Sequence, residues 1–224
     1  MISIGNDIVA LGAINRQRSN DTRFHSKFIT PTELALYQQP AIAAMPFESF
    51  VWLLWSVKEA AYKYQKRLEP DLIFSPAKIV VQHIIIPATY PNKVIEDAWE
   101  IDVLGVDFIH GEVHINTGKL YFKSIINADL IATVVDQEPA FQNIYWGIQK
   151  IVHTDSENQS RLVRVFLLNK FQSVFPQGNL TLQKSAVGYP VLFNNGVETG
   201  ILISLAHHGH FTSYCFNMAH QVLI

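Results

Sequence analysis

The 224-residue sequence contains one cysteine, Cys215, so no disulfide can form within the chain and a reducing compartment is expected. It lacks any apolar run near the roughly 20 residues that a membrane span needs. Charge is sparse and nearly balanced, 16% of residues with a formal net charge of −2, which offers nothing to nucleic acid or an anionic membrane as a bulk partner. The opening MISIGNDIVAL has no basic n-region and meets Asp7 too early for a signal peptide, so a cytoplasmic protein is expected. What the chain has in quantity is apolar side chain, 49% of residues, ample for one large domain or two modest ones.

The stretch from Phe50 to Arg67, FVWLLWSVKEAAYKYQKR, organises the rest. Phe50, Leu53, Leu54, Val57, Ala61 and Tyr64 recur at three- and four-residue spacing, the period of a helix with one buried face. At about 100° per residue, Trp52, Ser56, Glu59, Lys63 and Lys66 gather opposite that face. Glu59 and Lys63 then stand one turn apart and point the same way. Such a pair is usually a surface ion pair, of about 0.2–0.5 kcal/mol. Here Trp52 and Trp55 precede it, and bulky aromatics beside a charged face argue against plain solvated surface. A carboxylate and an ammonium so placed suit metal-assisted phosphoryl chemistry, one holding a hard cation and the other meeting phosphate.

Before this helix, ISIGNDIV reads as a strand in which Gly5 allows close backbone approach and Asp7 is the only charge. Taken alone, Asp7 is equally a strand-end or capping carboxylate. Arg16, Arg18, Arg23 and Lys27 follow with Asp21 as the only acid among them. Thr30-Pro31-Thr32-Glu33 has the form of a capping box opening a short helix to about Gln38. Strand-like runs then occur at Lys78–Val81, Trp99–Leu104, Glu112–Asn116, Lys119–Ile126 and Leu130–Val135.

The apolar pattern lapses over 136–143, which predicts two units, 1–138 and 139–224. A helical stretch follows, with Leu162, Val165, Phe166 and Phe171 expected in its core face over Ser160–Phe175. Further strands are predicted at Leu180–Gln183, Pro190–Phe193, Ile201–Leu205 and Thr212–Met218. Because both halves read helix, strand, turn, strand, turn, strand, the expected class is α+β. It is a duplicated α/β unit, each a helix packed on an antiparallel three-stranded sheet, related by a pseudo-twofold axis. Ser204, His207, His208 and His210 cluster near the end. Zinc is disfavoured without a second His/Cys cluster at ligand spacing, and a histidine donating to an anionic ligand competes with a solvent-exposed turn.

With Gly5-Asn6-Asp7, Thr30-Pro31-Thr32-Glu33-Leu34 and Trp55-Ser56-Val57-Lys58-Glu59-Ala60-Ala61-Tyr62-Lys63 quoted together, the chain resembles the 4′-phosphopantetheinyl transferases. Residues 23–37 look like the short holo-acyl-carrier-protein synthases, and the rest like the longer surfactin-synthetase type, in which two units are fused. The order is inverted relative to the longer enzymes. What resembles their first half, SRLVRVFLLNKF, Gly188-Tyr189-Pro190 and Ser204-Leu205-Ala206-His207, comes last, so the chain looks circularly permuted or built from a synthase unit and a divergent second one.

The resemblance implies that Asp7 and Glu59 hold Mg²⁺ together with the pyrophosphate of coenzyme A and waters, that Lys63 meets phosphate with Lys58 beside it, and that His207 contacts the nucleotide phosphates, with Ser204 and Tyr189 at the same site. Val9 stands where the longer enzymes often have a second acid, so a water is expected at that coordination position. Tyr189 replaces a lysine and Ala206 a serine, which weakens the phosphate grip. The implied activity is transfer of 4′-phosphopantetheine to a serine of an apo acyl or peptidyl carrier protein, with release of adenosine 3′,5′-bisphosphate and with Glu59 or a water on the ion accepting the proton. Arg16, Arg18, Arg23 and Lys27 would receive the carrier, and the chain would act as a monomeric pseudo-dimer. The competing readings are a non-catalytic homologue that binds coenzyme A or a carrier domain, and an unrelated zinc hydrolase.

Overall fold

The computed structural model describes residues 2–92, 97–105 and 107–218. The chain opens with strand β1 (Gly5–Ala10) and four short helices, α1 (Arg16–Ser19), α2 (Thr22–His25), α3 (Pro31–Leu36) and α4 (Pro40–Ala43), before the long helix α5 (Phe47–Leu68). The capping box expected at Thr30 is formed. Thr30 Oγ1 accepts from the Glu33 backbone N–H, and the Glu33 carboxylate accepts from Thr30 N–H at 2.9 Å.

Strands β2 (Ile79–Ile85), β3 (Ala98–Ile101), β4 (Ile109–Ile115), β5 (Gly118–Ile126) and β6 (Leu130–Asp136) follow. All but β3 join β1 in an antiparallel five-stranded sheet of order β1-β6-β5-β4-β2. Residues of β1 and β6 are buried throughout because both faces are covered. Val9, Ile131 and Val135 belong to the core under α5, whereas Ile8, Ala10, Leu130, Ala132 and Val134 belong to a second core shared with the C-terminal sheet. This alternation is the period-two signature of a strand with two packed faces.

The remainder comprises β7 (Ile144–Lys150), α6 (Ser156–Val174), β8 (Leu180–Lys184), β9 (Pro190–Asn194), β10 (Val197–Glu198), β11 (Leu202–His208) and β12 (Phe211–Asn217). Sheet order β11-β12-β7-β3 places β3, from before residue 138, in the sheet of the second unit. Strands β10-β9-β8 form a separate three-stranded sheet. The two echoing segments thus diverge. The first folds into adjacent strands β4-β5-β6 of one sheet, whereas the second divides between two sheets.

Three further expectations change. IYWGIQK, where the sequence predicts no strand, is strand β7, with Trp146 and Ile148 buried. In α6 the buried side chains are Val163, Leu167 and Phe171, and Val165 is exposed, so the core face is rotated by one residue from Leu162, Val165 and Phe166. Phe166 packs only at its margin. In α5 Ser56 is fully buried instead of sharing the polar face, because Trp52 and Trp55 are themselves covered by Phe24, Phe28 and Phe74. Among the described residues no helix is long and apolar enough to cross a membrane.

Candidate functional site between β1, α5 and β11

Gly5 brings β1 against α5. A Cβ at this position would collide with the Ala60 carbonyl oxygen and stand 2.8 Å from Tyr64 N, so only glycine permits the approach. Ser3 Oγ fixes the same contact by donating to Tyr64 O at 2.8 Å. Two residues along β1, Asp7 meets the α5 face that carries Glu59 and Lys63. The Lys63 ammonium donates to Asn6 O at 3.0 Å and to Asp7 Oδ1 at 3.1 Å. Burial raises the Glu59 carboxyl above its ordinary range, nearby Asp7 adds to that, and Lys63 opposes it. Among the described residues no hydrogen bond or ion pair engages the Glu59 carboxylate.

On its other edge β1 faces β11, and side chains make the joint. Asn6 N–H donates to Ser204 Oγ at 3.1 Å, Ala10 N–H to His208 Nδ1 at 2.9 Å, and Asn6 Nδ2 to Ser213 Oγ at 3.0 Å. Accepting at Nδ1 leaves the neutral His208 ring its proton on Nε2. Burial lowers its pKa, with Asp7 opposing. His207 has the opposite tautomer. Gln159 Nε2 donates to Gly209 O at 2.9 Å, which turns Gln159 Oε1 toward His207, 2.8 Å from Nδ1. Nδ1 therefore carries the proton and Nε2 the lone pair. Burial lowers the His207 pKa first, and Lys63 and His208 lower it further.

Lys63, Ser204 and His207 border a cavity of about 380 Å³, whose wall comes from both predicted units. Helix α5 supplies Tyr62, Lys63, Lys66 and Arg67, α6 supplies Arg164, and Lys184, Tyr189 and β11 supply the far side. Five cationic side chains line it and no carboxylate does. The Arg67 guanidinium lies 4.1 Å over the Tyr189 ring. Such a lining suits a polyanion.

Lys58 is not part of it. Its Nζ is fully buried 2.7 Å from Glu33 Oε1, with further bonds to Pro76 O and Ile79 O. One residue from Glu59 turns a side chain about 100° around the helix, away from the cavity. Of the other sequence candidates, Lys63, Ser204, His207 and Tyr189 line the cavity, whereas Asp7 and Glu59 adjoin Lys63 outside its lining. Apart from the cavity, Arg16, Arg18 and Arg23 are exposed on α1 and α2 and Lys27 in the turn after α2, none paired with an acid among the described residues, with Arg18 over the Phe24 ring. Sequence reasoning missed Arg67, Arg164 and Lys184. Lys66 and Arg67 continue the Glu59–Lys63 stripe by one turn and were readable from it; Arg164 lies on the helix whose phase was misread, and nothing local marks Lys184.

Among the described residues no set of three His, Cys, Asp or Glu side chains could hold a metal, which removes the basis for a zinc centre on His207, His208 and His210. The donor set of Asp7 and Glu59 fits a different demand. Two hard carboxylates, one of them unpaired and raised in pKa by burial and then by the other, suit an ion that takes its remaining ligands from substrate oxygens and water, as magnesium does.

Residues 3–97 match the family model of the 4′-phosphopantetheinyl transferase superfamily. The first unit is thus similar to this superfamily, and the match does not extend to the second. The matched segment carries Asp7, Glu59 and Lys63 on the β1–α5 contact, and coenzyme A is the substrate of 4′-phosphopantetheinyl transferases. No match was found among the curated proteins or among the solved structures. Ser204, His207 and the rest of the β11 wall lie beyond the matched residues, so their part in the site rests on geometry alone.

Proposed function

We propose that this transferase moves 4′-phosphopantetheine from coenzyme A to a serine of an apo acyl or peptidyl carrier protein, with Mg²⁺, and releases adenosine 3′,5′-bisphosphate. The observation that carries the reading is that Lys63, bonded to Asp7 and beside Glu59, also lines a cavity with four further cations and no acid. Asp7 and Glu59 would hold the ion, which supplies charge neutralisation to the phosphates when bound. Lys63 and His207 face the pyrophosphate. The carrier serine forms a bond to the β-phosphorus as the bond to the bridging oxygen breaks, and Lys63 stabilises the departing phosphate.

Glu59, or a water on the ion, takes the serine proton. The donor cavity lies between units 1–138 and 139–224, and neither unit alone completes it. The exposed Arg16, Arg18, Arg23 and Lys27 patch receives an acidic carrier surface. Incubation with coenzyme A, Mg²⁺ and a panel of apo carriers tests the reading: the carrier should gain the mass of the prosthetic group. A binding-only homologue would instead retain coenzyme A and leave every carrier unmodified.

A further inference from the structure

His207 and His208 are neighbours on β11, and their rings are fixed by different elements. His208 accepts from the backbone of β1, at Ala10 N–H. His207 is held from α6, by a glutamine that the sequence did not single out. Gln159 lies in the opening turn of that helix, its N–H bonded to Asp155 O at 2.9 Å, and its side chain is buried. The amide cannot be reversed. Gly209 O, 2.9 Å from Gln159 Nε2, can only accept, so the oxygen end of the amide is the one that meets His207 Nδ1 at 2.8 Å. Gly209 is itself seated on the end of β1: its φ is +53°, and a Cβ there would stand 2.7 Å from Ala10 Cβ. The turn rests on β1, the amide on the turn, and the ring on the amide.

His207 lines the donor cavity and Gln159 does not, so the ring nitrogen left to the cavity is Nε2. The charged groups around it are Lys63, Lys66 and Arg67 from α5, Arg164 from α6 and Lys184 at the end of β8. Asp7 of β1 bears on His208, and β12 presents Thr212 opposite His207. A glutamate at 159 could also hold Nδ1–H, but it would set a negative charge behind a wall that has none. The neutral amide orients the ring and leaves the wall cationic. We propose that Gln159 is a positioning residue for the donor: its amide, locked on Gly209 O, fixes the plane and tautomer of His207 and so presents Nε2 to the cavity. The inference rests on the transferase reading for what the cavity binds, whereas the setting of the ring can be read without any ligand.

Nitrogen-15 spectra of the imidazoles in the ligand-free protein, with His207→Gln to identify the signals, test the setting directly. Wild type should carry the His207 proton on Nδ1. Gln159→Leu, which offers no acceptor, should move it to Nε2, and Gln159→Glu, which retains one, should keep Nδ1 protonated. An unchanged Nδ1 tautomer in Gln159→Leu would overturn the proposal. Calorimetric titration with coenzyme A then tests the consequence. Gln159→Leu should weaken binding about two- to tenfold, the size of one hydrogen bond, and should have no further effect in the His207→Gln background. Equal losses in both backgrounds would mean that Gln159 supports α6 without acting through His207, which also overturns it. Thermal melts establish that each variant is folded. Should wild type bind no coenzyme A, the transferase reading fails, while the ligand-free spectra still decide whether Gln159 sets the ring.

Discussion

The Lys63 ammonium lies 3.1 Å from Asp7 Oδ1, on a carboxylate that a divalent cation would share. Lys63 therefore competes with the ion until a phosphate offers it another partner. Replacing Lys63 by methionine should raise the affinity of the ligand-free protein for Mn²⁺ roughly two- to fivefold, the size of a partly exposed ion pair. The same variant should transfer poorly. Titration with Mn²⁺ in the absence of coenzyme A decides the point, and unchanged or weaker metal binding would remove Lys63 from this role.

Asp7→Asn and Glu59→Gln should each abolish transfer with the fold intact, since neither side chain belongs to a hydrophobic core. Loss of one carboxylate should cost several kcal/mol of transition-state stabilisation, on the scale of about 3 kcal/mol or more. Near-full activity of Asp7→Asn at limiting Mg²⁺ would contradict the metal assignment.

The neutral tautomer of His207 cannot donate from Nε2 to a phosphate; the imidazolium can. Its pKa without ligand is held below the ordinary imidazole range by burial, and an adjacent anion raises it. Binding should therefore take up a proton between the two values. Affinity for coenzyme A is greatest below the ligand-free pKa and falls as pH rises through the bound pKa. His207→Gln should flatten this component of the pH profile, measured as the difference from wild type so that titration of the nucleotide cancels.

Lys58→Met should cost about 3–5 kcal/mol of folding stability, because it leaves the fully buried Glu33 without its counter-ion. Folded variant should still bind coenzyme A as wild type does. Denaturant unfolding and calorimetry together distinguish this from a phosphate-binding role, which would show the reverse pattern.

Charge reversal at Arg16 and Arg23 should raise the KM for carrier protein and hardly alter that for coenzyme A, since the patch lies apart from the cavity and exposed charges act mainly on encounter. Steady-state kinetics with each substrate varied in turn would show it, and equal effects on both would count against the patch.

The local elements were legible where one residue type does one job. Gly5 announced the close approach, Thr30 and Glu33 the cap, and the spacing of Glu59 and Lys63 their shared face. Glu33 shows where local reading stops. The capping carboxylate also holds Lys58 and the Val81 N–H, partners 25 and 48 residues away that no spacing rule connects. Lys58 was misplaced for that reason. Likewise β7 was overlooked because a boundary was expected just before it, and the shift in α6 follows from a helix that packs on β8 as well as on β11 and β12, so that two sheets set its buried face. Lys184 enters the site only through tertiary folding.

The joint between β1 and β11 has a consequence for how the halves can be combined. A backbone ladder accepts almost any sequence, since amide and carbonyl are common to all residues. Here Asn6 and Ala10 N–H groups are met instead by Ser204 and His208 side chains, and the Asn6 amide by Ser213. The seam is thus written in side chains and acts as a lock with its own key. A foreign second half grafted onto residues 1–138 would need serine and histidine at those places, or β1 would be left with unsatisfied N–H groups at Asn6, next to Asp7, and at Ala10.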